Sequence, residues 1–111
     1  MDCIFCKIIN KTVPSEIVYE DEKILAFKDI DPKAPLHLLI IPKKHILSLN
    51  HLQSEDKELI YELLLVAKRI AKEQRVNETG YRLIFNVGKD AGQTVDHLHL
   101  HLLGRKILPW P

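Results

Sequence analysis

Three histidines, His97, His99 and His101, alternate with leucines in the stretch DHLHLHLL from Asp96 to Leu103, and they are half of the six histidines in the chain. Strict alternation of two residue types is the pattern of a half-buried strand, whose successive side chains point to opposite faces. Leu98, Leu100 and Leu102 therefore turn towards a core, and the imidazoles form a row on the other face, about 6–7 Å apart. A polar outer face could equally be built from Thr, Lys or Glu. Imidazole adds a group that titrates near neutral pH and serves as nucleophile, base or metal ligand. The row is too long for one metal ion to take all three without bending the strand, so the roles are expected to be divided.

Other residues could join this chemistry. The loop GKDAGQT (Gly88 to Thr94) leads into the row, and its two glycines allow backbone N–H groups to turn inward around an anion. A plain hairpin loop is the usual fate of such a pair, but beside the histidines a phosphate is the better reading. CIFC places Cys3 and Cys6 at a spacing that suits half of a zinc site. Two buried thiols packing as hydrophobes would fit that spacing as well, and the spacing leaves both open. His37 shares a face with Leu39 and Ile41, where a lone histidine is commonly a satisfied core residue. His45, after two lysines, reads as a solvated loop residue, and His51 as surface. Asp29 in KDIDP suits a turn cap; its functional alternative is a carboxylate that accepts hydrogen bonds from ribose hydroxyls.

These residues need a scaffold. Asp2 to Asn10 reads as a short helix capped by Asp2, with Ile4, Phe5, Ile8 and Ile9 at helical spacing. Glu16–Glu20 and Lys23–Asp29 read as strands about a turn, and Leu36–Pro42 as an apolar strand ended by proline. A long helix starts at the N-cap Ser54 and runs to about Arg75, with Leu59, Ile60, Leu63, Leu64, Ala67, Ile70 and Ala71 as its apolar stripe. Tyr81–Val87 is a strand, most simply forming an antiparallel hairpin with the histidine strand. The fold class is α+β: a mainly antiparallel sheet of five strands, one long helix and one short helix.

The 111 residues suffice for one domain with one core, taken as 1–111. A formal net charge of +1 implies no broad nucleic-acid or anionic-membrane surface. Asp2, Lys7, Lys11, Glu16 and Glu20 break up the first twenty residues, against a signal peptide or membrane span. Two closely spaced cysteines cannot staple a secreted framework, and a reducing, cytoplasmic setting is expected.

HLHLHLL resembles the histidine triad signature, H-φ-H-φ-H-φ-φ with φ apolar. CIFCKIIN, PSEIVYED, ILAFKDIDPKAPLHLLIIPKKHI, GYRLIFNVGKDAGQTVDHLHLHLLG and the tail PWP follow in family order across nearly the whole chain. The chain is most similar to the Hint branch, the purine nucleoside phosphoramidases. The resemblance implies that His99 is the nucleophile, that His101 holds the phosphate oxygens, and that His97 and His37 orient them. Thr94 stands near the leaving group, where relatives usually have serine. Asp29 matches the ribose-binding acid, and Phe5, Phe27 and Ile30 match the base pocket. Asn86, Gly92, Gln93 and Val95 match residues along the ribose and phosphate. Many bacterial relatives bind structural zinc, which here would fall to Cys3, Cys6, His45 and His97, with no catalytic metal or organic cofactor. The resemblance further implies a homodimer joined into a continuous sheet, with Trp110 reaching the partner's nucleotide site. Asp96 stands where relatives are apolar or aromatic; by alternation its side chain leaves the histidine face and takes no part in the chemistry.

The implied substrate is an AMP- or GMP-like nucleotide, cleaved at a P–N bond through a nucleotidyl-histidine. The alternatives are hydrolysis or phosphorolysis of dinucleoside polyphosphates on the same histidines, and a nucleotide-binding regulatory partner whose catalysis is incidental.

Overall fold

The computed structural model describes residues 3–110; Asp2, expected to cap the first helix, and Pro111 lie outside the described residues. Cys3 occupies the cap of helix α1 (Ile4–Ile9), its sulfur accepting from the Cys6 N–H. Strands β1 (Ile17–Glu20), β2 (Ile24–Lys28) and β3 (Leu36–Pro42) follow as an antiparallel meander. The long helix α2 (Lys57–Glu73), a short helix α3 (Val76–Thr79), and strands β4 (Tyr81–Ile84) and β5 (Leu100–Gly104) complete the chain. The sheet order is β1-β2-β3-β5-β4, with every neighbouring pair antiparallel.

Alternation sorts each strand between two cores. On one face Ile24, Ala26, Leu38, Ile40, Leu100 and Leu102 meet Leu63, Val66, Ala67, Ile70 and Ala71 of α2. On the other, Leu25, Phe27, Leu39 and Ile41 meet Cys3, Phe5 and Ile8 around α1. Strand β3 lies at the centre with both faces covered, so all seven of its residues are buried and its sequence is apolar almost without interruption.

The helix differs from the expected pattern in three ways. Ser54 is not its cap but lies inside a 3-10 turn, Ser54–Asp56, that precedes α2. Asp56 reaches back instead: its carboxylate accepts from the Gln53 N–H at 3.0 Å and from Lys44 Nζ at 2.7 Å. Leu64, assigned to the stripe, is 42% exposed, whereas Val66 is 7% exposed and belongs to the core. The stripe winds towards the 63, 66, 67, 70 edge because the sheet covers only that side. Termination comes from Arg75, held in the left-handed region at φ 63° without a glycine to announce it.

The last two strands are also shorter than expected. β4 ends at Ile84 and β5 begins only at Leu100, so His97 and His99 lie outside the ladder. The Leu98 N–H instead donates to the Ile46 carbonyl at 2.6 Å, drawing this stretch towards the segment after β3. Residues 85–87 consequently have no β5 residues opposite them. Among the described residues, no helix is long and apolar enough to cross a membrane.

Candidate active site

The register of the sheet builds the histidine pair. His37 pairs with Leu103 and Leu39 with His101, so His37 and His101 are diagonal neighbours on the α1 face. Their Nε2 and Nδ1 atoms are 2.9 Å apart. His37 Nδ1 lies 2.9 Å from the Lys33 backbone N–H, which can only donate. Nδ1 is therefore the acceptor, Nε2 carries the proton and donates to His101 Nδ1, and the proton of neutral His101 is left on Nε2. The same reasoning fixes the other two rings. His99 Nδ1 donates to the His97 carbonyl at 2.7 Å, which leaves the lone pair of the neutral ring on Nε2. His97 Nε2 donates to the Pro42 carbonyl at 2.8 Å, which leaves its lone pair on Nδ1. Backbone groups thus set three tautomers directly and a fourth through one intervening ring.

Burial reinforces neutrality. Desolvation lowers the pKa of His37, against the pull of Asp29, and pushes that of His101 down to about 4, with His99 and His37 adding to the effect. Burial lowers the pKa of His97 as well. Asp29 Oδ2 is 3.4 Å from His37 Nε2, and its Oδ1 accepts from the Asp31 N–H at 2.8 Å. Asp29 is thus both a turn cap and a neighbour of the histidine pair.

His97 faces away from that pair. Its ring is fully buried, edge-on to Phe5 and His45. Nδ1 lies 3.4 Å from Cys3 Sγ, 3.7 Å from Cys6 Sγ and 3.1 Å from His45 Nδ1, and Cys6 Sγ is 3.3 Å from His45 Nδ1. All four ligand atoms fall within 4.8 Å of one another. A tetrahedral zinc ion with two sulfurs and two nitrogens spaces S···N by about 3.6 Å and N···N by about 3.3 Å. The set fits such an ion in donor type and spacing, and the Pro42 carbonyl orients the His97 ring as an outer-sphere partner would. His45, expected to be solvated by its sequence context alone, is half-buried here.

Two hollows meet at the triad. One, of about 370 Å³, is lined by Phe5, Phe27, Ile30 and Val95, with Asp29, Thr94, His99 and His101 along its edge. The other, of about 440 Å³, is polar: Asp29, Lys33, His37, Asn86, Gly92 and Thr94 surround His99 and His101. Larger hollows beside α2 and beneath the C-terminal tail contain none of these histidines. An apolar slot opening into a polar one, with imidazoles at the junction, suits a flat apolar group joined to an anion.

Several expected residues sit elsewhere or act differently. The loop, expected to turn backbone N–H groups towards an anion, uses those of its two glycines internally: Gly88 N–H donates to Gln93 Oε1 at 2.9 Å and Gly92 N–H to the Lys89 carbonyl at 3.0 Å. Gln93 lines neither hollow. Its Nε2 donates to the Leu47 and Val95 carbonyls, so its amide clamps the loop to the segment after His45. Trp110 is 92% exposed and lines neither hollow; the preceding Pro109 carbonyl is held by Arg82 Nη1 at 2.7 Å. Asp96 is exposed and borders a third, smaller hollow shared with Thr94 and Val95. His51, read as surface, is exposed, with its Nδ1 2.9 Å from Ser48 Oγ. Lys33, Pro42 and the clamping role of Gln93 escape sequence reasoning, because two act through backbone atoms and the third through contacts distant along the chain.

A five-stranded antiparallel sheet carrying this triad and its buried histidine partner defines a class, and comparison with known proteins agrees. The family described as scavenger mRNA decapping enzyme C-term binding matches residues 2–108. An HIT-like protein of Synechococcus elongatus is 49% identical over 110 residues, 99% of this chain and 96% of that one. The crystal structure of an HIT family hydrolase from Legionella pneumophila superposes with a TM-score of 0.97 at 51% identity, covering 99% of this chain and 98% of that one. A histidine triad nucleotide-binding protein from Candida albicans gives a TM-score of 0.85 at 35% identity, covering 99% and 83%. The chain belongs to the histidine triad (HIT) family.

Proposed function

We propose that the protein is a purine nucleoside phosphoramidase of the Hint branch, which cleaves the P–N bond of AMP- or GMP-like 5'-phosphoramidates. The observation that carries this reading is the hydrogen bond from His99 Nδ1 to the His97 carbonyl, which leaves Nε2 with the lone pair on a ring that borders both hollows. The base would lie between Phe5, Phe27 and Ile30, beside Val95, and the ribose hydroxyls against Asp29. His99 Nε2 attacks the α-phosphorus in line, forming an N–P bond as the bond to the amine breaks. The departing nitrogen takes up one proton from solvent, relayed through the Thr94 hydroxyl, while His101 stays neutral. Water then cleaves the nucleotidyl-histidine, releasing the nucleoside monophosphate and restoring the proton. His101 also donates to the phosphate oxygens, with Asn86 and Gly92 beside them.

Cys3, Cys6, His45 and His97 would hold a structural zinc ion, which fixes His97 and, through its carbonyl, His99. A cytoplasmic homodimer completes the proposal: the exposed Tyr61, Leu64 and Leu65 on α2 supply an apolar face, and Trp110 reaches the partner's site.

The family match to a decapping-enzyme region favours one second reading, attack by the same His99 on a P–O–P bond. Turnover of adenosine 5'-phosphoramidate measured beside diadenosine polyphosphate separates the two. Faster release of AMP from the phosphoramidate is expected. Preference for the polyphosphate would replace the assignment, and nucleotide binding without turnover of either would reduce the protein to a binding partner.

A further inference from the structure

We infer a second metal site, formed by Asp29, His37 and His101, that takes a divalent ion of the zinc class and switches the triad off. The ligand atoms of these three residues lie within 4.8 Å of one another, and they share no member with the cysteine cluster. The donor set, two imidazoles and one carboxylate, is the combination that borderline transition ions accept.

The geometry is close to what an ion needs. Around a tetrahedral ion, neighbouring nitrogen and oxygen donors sit about 3.3 Å apart. Asp29 Oδ2 and His37 Nε2 are 3.4 Å apart already. His37 Nε2 and His101 Nδ1, at 2.9 Å, have to part by a few tenths of an ångström. One proton, on His37 Nε2, now sits between two acceptors, Asp29 Oδ2 and His101 Nδ1. An ion takes the place of that proton and satisfies all three atoms at once.

Two of the ligands are also braced from behind, as built metal ligands are. The Lys33 N–H holds His37 Nδ1, and the Asp31 N–H holds Asp29 Oδ1. All three residues border the polar hollow of about 440 Å³, so an ion has a route in and keeps an open position facing it. That open position lies where the proposed reaction places the phosphate, and coordination through Nδ1 pulls His101 away from His37. Inhibition, the second half of the inference, rests on the function proposed above; the binding half does not.

The test uses protein carrying one zinc per chain, equilibrated by dialysis against micromolar zinc and analysed for metal content. A second equivalent is expected in the wild type. It should bind about tenfold more weakly, or not at all, in Asp29→Asn and in His101→Gln. Wild-type turnover should fall as the second equivalent binds and return with a chelator too weak to strip the cysteine cluster. Absence of the second equivalent, or its full retention in both variants, overturns the site. A second ion that binds while turnover stays constant overturns the switch. A different substrate for the enzyme would leave the metal count unchanged, so the site and the proposed reaction fail separately.

Discussion

The backbone N–H of Lys33 and Nδ1 of His37 lie 2.9 Å apart, so a loop residue sets the tautomer of an imidazole buried beneath it and, through that ring, of His101. Removing the donor leaves a buried acceptor unpaired and lets the histidine pair exchange tautomers, at a cost of about 1–3 kcal/mol. Lys33→Pro, which deletes the N–H, should lower kcat by about 10- to 100-fold with a smaller effect on KM. Lys33→Ala keeps the N–H and should retain kcat. Equal losses in the two variants would assign the effect to the lysine side chain.

Turnover should vanish in His99→Ala while AMP still binds. The hollows proposed to receive base, ribose and phosphate are built largely from other residues, and among the histidines that border them only His99 presents a lone pair fixed by a backbone carbonyl. Steady-state turnover and calorimetric AMP affinity, measured on the same preparation, check both halves. Near-normal turnover would remove His99 from the role of nucleophile.

Elemental analysis of protein purified without chelator or affinity-column metal should find about one zinc per chain in the cysteine cluster. Cys3→Ser should lower Tm more than it lowers kcat, since that thiol anchors α1 to His97 rather than touching substrate. Metal-free protein with intact activity would return Cys3 and Cys6 to the role of packed thiols.

The pKa of His101 at about 4, against about 6.5 in an unfolded chain, carries a definite sign. Between those values the unfolded state binds the proton and the folded state does not. Stability is therefore complete above about pH 6.5 and is lost as the pH falls towards 4, by on the order of 2 kcal/mol from this residue. Burial of His37 acts in the same direction. Urea midpoints at pH 7 and pH 5 should differ more in the wild type than in His101→Gln. An identical pH dependence would mean that His101 is not held neutral.

Light scattering at micromolar concentration should report a dimer, and Trp110→Ala should leave it intact. The exposed Trp110 and the Pro109 anchor on Arg82 place the tail beside edge strand β4 rather than over the two hollows at His99 and His101. The substitution should therefore change the ratio of rates on bulky and small amine leaving groups. A monomer in solution would defeat the dimer, and an unchanged ratio would leave the tail without a part in selectivity.

Much of this is legible in the sequence where one periodicity dominates. Strand Leu36–Pro42 can be read to both ends, because a central strand is apolar on both faces and the proline stops it. Alternation places His101 on the face it shares with His37 and Leu39, but the ladder begins only at Leu100, so it does not set where His97 and His99 point. What escapes depends on partners far along the chain. The Pro42 carbonyl that orients His97 is 55 residues distant, and Gln93 reaches back 46 residues to Leu47. Leu64 and Val66 exchange places because an apolar stripe read from sequence has width but no knowledge of which edge the sheet covers. Arg75 ends its helix in a conformation usually marked by glycine.

Strand β5 gives the molecule its own proofreading. His101 is opposite Leu39 on one side and Ile84 on the other, while Leu100 and Leu102 fill the core under α2. A one-residue slip of this strand would drive the imidazole into the oily layer and turn two leucines out into the polar hollow. The error that disables the chemistry is thus also the error that unmakes the core. A population of chains that is well folded but misregistered and silent has no structure to occupy, so for this strand every folded copy is an armed one.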